Sequence, residues 1–136
     1  MRILVRILIG VALIGVLYTG VIFAVSELGG EIVVLQRPAA DGSVDEIRLW
    51  IVDDGDRALI KHGQADAYWM QRLASNPTVR LTREGELRTY GAAVAPESRD
   101  RYDELRRAKY GWADATLAVL MGPDAEAVPV ALTAQN

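Results

Sequence analysis

The stretch "IRLWIVDDGDRALIKHG" (Ile47 to Gly63) decides the fold class. Ile47, Leu49 and Ile51 alternate with Arg48, Trp50 and Val52, the period-two pattern of a strand with two usable faces. Asp54-Gly55 supplies a tight turn, and Arg57 to His62 reads as the returning strand. On the N-terminal side, "GEIVVLQRP" gives a further short strand, Ile32 to Gln36, stopped by Pro38. "AADGSVDE" between them is a hairpin loop around Asp41-Gly42.

On the C-terminal side the period changes. In "ADAYWMQRLASNP", Ala67, Met70, Leu73 and Ala74 stand at helical spacing and predict a short helix with Asp66 as its N-cap. Pro77 disfavours the helical conformation at Asn76 and ends it. Thr78 to Arg83 and Glu86 to Val94 read as strands turning at Glu84-Gly85. "APESRDRYDELRRAKYG" predicts a second helix, with Pro96 at its first position, Asp103 and Arg107 paired on its outer face, and Gly111 as its stop. "WADATLAVLM" fits either a helical turn or an apolar strand. "AEAVPVALT" reads as a last strand, with Pro129 marking an edge or a bulge. Five or six mostly antiparallel strands and two short helices point to a mainly β, α+β fold: a small, partly open barrel with helices at its ends.

The chain has 136 residues, and not all of them belong to that barrel. Ile7 to Val25 carries no charge and is long enough to cross the ~30 Å hydrocarbon core at ~1.5 Å per residue. A signal peptide cut near Ala24-Val25-Ser26 is the other reading; the apolar run exceeds the roughly 7–15 residues of a usual signal, which favours an uncleaved anchor. The organisation expected is an anchor over residues 1–28 and a barrel domain over 29–136, held to the bilayer through residues 7–25. Arg2 and Arg6 precede the span, and Glu27 and Glu31 follow it. The positive-inside rule then makes this a single-pass protein with a cytoplasmic N-terminus and an outward-facing domain. All 18 acidic residues follow the span with 13 of the 15 Lys and Arg, leaving that part near −5, which argues against nucleic acid as a partner.

Several chemistries drop out on residue types. Cysteine is absent, which removes disulfides and thiol chemistry. The single histidine, His62, and loop serines Ser26, Ser43, Ser75 and Ser98 form no hydrolase motif. No metal site is expected: Asp53, Asp54 and Asp56 read as a hairpin tip. His62 as an axial haem ligand is outweighed by the commoner hydrogen-bonded histidine at a strand end. What survives is Lys61 and His62 before Gly63, able to hold a phosphate or a polarised ring oxygen, with Trp50 and Trp69 as flat walls. The plainer reading of the same residues makes both tryptophans core and Lys61 solvated.

In order, Trp50, Asp54-Gly55, Lys61-His62-Gly63, Trp69, Leu73 and Asn76-Pro77 resemble the deazaflavin-dependent nitroreductase-like proteins of the split β-barrel flavin-binding superfamily. The resemblance runs roughly from Glu31 to Thr133, and "RRAKYG" (Arg106 to Gly111) is similar to a segment in uncharacterised relatives. It implies a split barrel binding FMN or a deazaflavin coenzyme at its surface and passing hydride to a quinone or nitro acceptor. Ile60 to Gly63 would then lie along the coenzyme ring and Trp69 would close the pocket. Catalytic residues are not assigned. The family's Gly-Arg-Lys-Ser/Thr-Gly turn, which grips the coenzyme phosphate, is replaced here by "RPAADGSVDEIR" (Arg37 to Arg48), with Asp41, Asp45 and Glu46 nearby. Arg37 and Arg48 flank that loop as replacement phosphate contacts. Two functions therefore stand side by side: a membrane-anchored oxidoreductase, or a coenzyme-free binding module for a membrane protein partner or a homodimer.

Overall fold

Alternating apolar residues give each strand one face that must leave water, and in the computed structural model, which describes residues 1–122 and 125–135, these faces meet inside a closed barrel. The strands are β1 (Ile32–Pro38), β2 (Val44–Asp54), β3 (Arg57–Lys61), β4 (Thr78–Arg83), β5 (Glu86–Val94) and β6 (Pro129–Ala134). Around the barrel they follow the order β1-β2-β3-β6-β5-β4, every neighbour antiparallel, and β1 pairs β4 through Leu35 opposite Leu81 to close it. Leu35, Ile51, Ile60, Leu81 and Leu132 are almost wholly buried inside. Each such side chain stabilises the fold by about 1.5–3 kcal/mol through burial. The short helix α2 (Tyr68–Arg72) adds Trp69, Met70 and neighbouring Leu73 to the same core, plugging the end where β1 terminates and β4 begins.

A second layer lies outside. Helix α3 (Arg99–Tyr110), entered through a 3₁₀ turn at Pro96–Ser98, lays Tyr102 and Tyr110 against the outward residues Val52 and Leu59. Helix α4 (Trp112–Met121) follows after Gly111, whose φ of 46° takes the sharp turn between them. The N-terminal helix α1 (Arg2–Leu28) is exposed over most of its length, with Val25 buried near its end, and is long and apolar enough to cross a membrane.

Several expectations are corrected. The barrel is closed rather than partly open, because β6 enters between β3 and β5. Pro129 marks neither edge nor bulge; it opens β6, where its missing N–H costs least. "WADATLAVLM" is a helix, so the domain has three helices of this kind rather than two. Asp66 does not cap α2: Ala67 occupies that position without a side-chain cap. Asp103 does not pair with Arg107 on an outer face; it accepts from Lys61 Nζ at 3.1 Å, tying β3 to α3. β2 is longer than Ile47 to Val52 because β1 continues through Pro38 and pairs it with Val44. The β2–β3 turn centres on Gly55-Asp56, with Gly55 left-handed at φ 69°.

The junction between α1 and the barrel is tightly built. Trp50 stacks on Tyr110 with ring centroids 4.4 Å apart, and its Nε1 donates to the Ser26 carbonyl at 3.0 Å. Gly30 passes over this stack: a Cβ there would lie 2.6 Å from Trp50 Nε1. Below it, Arg83 donates to Glu31 at 2.6 and 3.1 Å and to Asp53 at 2.8 and 2.9 Å. Lys109 adds a bond to Glu31 and one to the Ile51 carbonyl at 2.9 Å. Burial pushes the Glu31 carboxyl up, but hydrogen bonds from Arg83 and Lys109 outweigh it and hold it below its ordinary 4.5. The Arg83 hydrogen bond holds Asp53 below its ordinary 3.8.

Two outcomes follow from this junction. Gly30→Ala should lower stability by about 1–3 kcal/mol, read as a reduced thermal midpoint in detergent, since the added Cβ would lie 2.6 Å from Trp50 Nε1 and 3.0 Å from the Tyr110 ring and the stack must shift to admit it. Glu31 and Asp53 are depressed in the folded state, so between those lowered values and the ordinary 4.5 and 3.8 the unfolded chain binds more protons. Stability should therefore hold from neutral pH down to the ordinary carboxylate range and fall as pH drops through it. Arg83→Met should be less stable at neutral pH and show a shallower acid limb in denaturant midpoints measured against pH.

Candidate functional site

Pro77 forces the chain to leave α2 and turn directly into β4, which places the end of the helix and the start of the strand over one mouth of the barrel. The register sets Arg80 opposite Gln36, one residue from Arg37. Between these elements lies a cavity of about 370 Å³. Trp69, Leu73 and Val79 give it an apolar floor, and Arg37, Arg72 and Arg80 bring three guanidinium groups to its rim. Arg72 and Arg80 are exposed and make no ion pair among the described residues. Among the described residues, Arg37 has one long ion-pair contact, 3.7 Å to Asp45. Guanidinium forks beside an apolar shelf suit a ligand with a flat apolar part and an anionic tail.

Of the residues expected from the sequence, Arg37 and Trp69 meet in this cavity. Gly63 is joined to it through the indole: a Cβ at Gly63 would lie 3.5 Å from Trp69 Nε1, a buried nitrogen with no hydrogen-bond partner among the described residues. The backbone at Gly63 has φ 80°, which disfavours any side chain, and its carbonyl accepts from Val128 N at 3.0 Å.

The other expected residues lie elsewhere. Lys61 follows Ile60, which points inward, so Lys61 points out beneath α3, with its side chain 3% exposed. Its ammonium sits on Asp103 and 5.2 Å from the centre of the Tyr102 ring, so it is not solvated. Lys61, His62 and Gly63 line a separate shallow cavity of about 310 Å³ with Glu126. Arg48 and Trp50 are likewise outward, because Leu49 and Ile51 take the core positions of β2. Arg48 Nε donates to Glu27 of α1 at 2.9 Å. Trp50 lines a third cavity, about 340 Å³, with Arg106, Asp114 and the apolar side of α4. The two indoles are therefore not opposite walls of one pocket.

Sequence reasoning missed Arg72, Arg80, Gln36 and Asn76. A signal for Arg80 was present: it alternates with Val79 and Leu81 and so had to face outward. Arg72 sits in the last turn of α2, where a cation also complements the helix dipole.

No protein-family model matches the chain, and no curated protein does. Solved structures do match in fold. A candidate pyridoxamine 5′-phosphate oxidase from Listeria innocua superposes with a TM-score of 0.52 at 11% identity, over 88% of this chain and 94% of that one. An FAD-binding protein from Mesorhizobium loti gives 0.52 at 11% identity, over 79% and 83% of the two chains. A candidate 5-nitroimidazole antibiotic resistance protein from Bacteroides thetaiotaomicron gives 0.51 at 9% identity, over 79% and 74%. At such identities the likeness is one of fold: this chain is a split β-barrel preceded by a long apolar helix.

Proposed function

We propose that this protein is a membrane-anchored split barrel that binds a phosphate-bearing flavin or deazaflavin coenzyme and reduces an acceptor with it. Residues 1–28 form the anchor, with the N-terminus on the cytoplasmic side by charge, and residues 29–136 form the barrel domain. The observation that carries the reading is the cavity of about 370 Å³ rimmed by Arg37, Arg72 and Arg80, two of which have no ion-pair partner among the described residues. Its volume lies in the range of about 300–1,000 Å³ typical of ligand sites. Arg72 and Arg80 hold the phosphate in place of the absent Arg-Lys turn. Trp69 and Leu73 supply the apolar surface, and the plug formed by α2 keeps water from the barrel beneath. Such a coenzyme, when bound, carries the hydride; the chain's part is to seat and orient it.

Pro38, at the rim, is six residues along β1 from Ile32, or ~20 Å from the anchor junction at ~3.3 Å per residue. The acceptor is therefore one that reaches the aqueous end of the barrel, which favours a nitro compound over a quinone dissolved in the bilayer. A coenzyme-free module for a membrane protein or a second copy is the other reading. One observation favours it: Asp41, in the loop that replaces the phosphate-gripping turn, spends its carboxylate on Ser43 N and Oγ at 2.9 and 2.6 Å.

The test is titration of the full chain in detergent, followed by tryptophan fluorescence. FMN and a phosphate-bearing deazaflavin should quench it, and riboflavin, lacking the phosphate, should bind more weakly. Each charge-assisted hydrogen bond is worth about 1.5–3 kcal/mol. Arg72→Ala or Arg80→Ala should therefore weaken FMN by at least about tenfold, with little effect on riboflavin. Lys61→Met should leave FMN affinity unchanged; a loss there would move the site back to the strand end. Equal binding of FMN and riboflavin would remove the phosphate seat, and colourless protein that no flavin quenches would select the coenzyme-free module.

A further inference from the structure

Helix α4 is an apolar helix in an exposed place. Trp112, Val119 and Met121 are 64%, 84% and 67% exposed. Its single charge, Asp114, is buried and 2.8 Å from Arg106 Nε, so it presents no charge outward. In water such a helix would be a costly surface.

Its position says what covers it. The first turn of α4 packs at the anchor junction, where a Cβ on Gly29 would lie 2.4 Å from the Ala113 Cβ. Its last turn reaches back along the anchor, where Tyr18 Oη donates to the Leu120 carbonyl. Between these points α4 rises ~10 Å and α1 ~16 Å at ~1.5 Å per residue, so the two helices run side by side. Tyr18 lies seven residues inside Val25, the end of the uncharged run, or ~10 Å into it at ~1.5 Å per residue. A helix laid against that part of α1 occupies the same layer as α1.

Backbone satisfaction agrees. In hydrocarbon, the free carbonyls at a helix C-terminus are expensive. Here one of them, on Leu120, accepts from Tyr18 Oη, beyond the ordinary helical bond from Gly122 N to the Ala118 carbonyl at 3.1 Å. Thr116 Oγ1 donates within the helix to the Trp112 carbonyl at 2.8 Å, so its hydroxyl brings no unmet donor into lipid. Trp112, an apolar ring with one polar atom at the junction end of α4, is a residue type found at the membrane boundary.

We infer that α4 inserts into the lipid bilayer beside α1, so that the barrel is held against the membrane by a helical pair and not tethered by one helix. The inference rests on the anchor reading above. The occupant is lipid because the exposed side of α4 is continuous with the lipid-facing surface of the anchor and carries no charge for a polar partner to read.

The chain has no cysteine, so single substitutions report cleanly. Val119→Cys, with Leu13→Cys in α1 and Arg88→Cys on β5 as references, would each carry a nitroxide in full-length protein reconstituted in phosphatidylcholine vesicles. Paramagnetic resonance then compares collision with dissolved oxygen, which concentrates in lipid, and with a water-soluble nickel chelate. The Val119→Cys label should favour oxygen several-fold, as the Leu13→Cys label does, while the Arg88→Cys label favours nickel. A Val119→Cys label as open to nickel as the Arg88→Cys label, with Leu13→Cys still in lipid, overturns the insertion of α4 and leaves the anchor standing. A Leu13→Cys label open to nickel overturns both. A Val119→Cys label shielded from both reagents also overturns it, because a protein surface then covers α4.

Discussion

Arg83 grips two carboxylates at once, Glu31 at the head of β1 and Asp53 near the end of β2, and the rest of the molecule is arranged around that grip. Lys109 brings α3 to the same carboxylates, and Tyr110 Oη bonds the Ile51 carbonyl at 2.5 Å. Isolated surface ion pairs contribute about 0–1 kcal/mol. This one is a network of two cations and two anions in which Glu31 and Arg83 are partly buried and Arg83 forks to both carboxylates, the arrangement in which such pairs are stronger. It fixes β1, β2, β4 and α3 relative to each other at the point where α1 joins the barrel. The direction of α1 follows from it through Gly30, Trp50 and Tyr110.

Barrel closure then sorts the chemistry. Each strand offers alternate residues to the core and to the outside, and closure assigns the outside of β2 and β3 to α3 and the outer faces of the anchor junction. Lys61 and Trp50 are spent there on packing and pairing. At the end plugged by α2, Arg72 and Arg80 make no ion pair among the described residues. The hairpins were legible in the sequence, with the β2–β3 turn displaced by one residue, because each depends on local spacing or a local breaker such as Pro77. Which face of a strand meets the core was partly legible, as the parity of Arg80 between Val79 and Leu81 shows. What covers the other face was not, because α3 contacts β2 and β3 only through residues some 40–60 positions away in the chain, as with Lys61 and Asp103 or Ile51 and Tyr110.

α4 was illegible for a different reason. Helix and strand readings of "WADATLAVLM" compete when an apolar run is short, and the usual arbiter is which face is buried. Here little of the helix is buried in protein, so no clean stripe exists to be read. The same lack of a stripe is what a lipid-facing helix shows, since hydrocarbon makes no demand for a polar side.

Under the proposed function, a ligand grip moves without the fold changing. An acidic loop between β1 and β2 repels a phosphate, yet the loop is only one of three elements at that mouth. Arg72 comes from the helix and Arg80 from β4, so cationic charge returns to the rim from the other side. In the proposed function the two ends of the barrel carry separate duties: α1 and α4 meet the membrane at the head of β1, and the anion is held at the far end, joined to it by the length of one strand. Arg72 and Arg80 are exposed side chains that make no bond in the Arg83 network, so under that proposal their substitution changes ligand affinity while leaving the network's bonds in place.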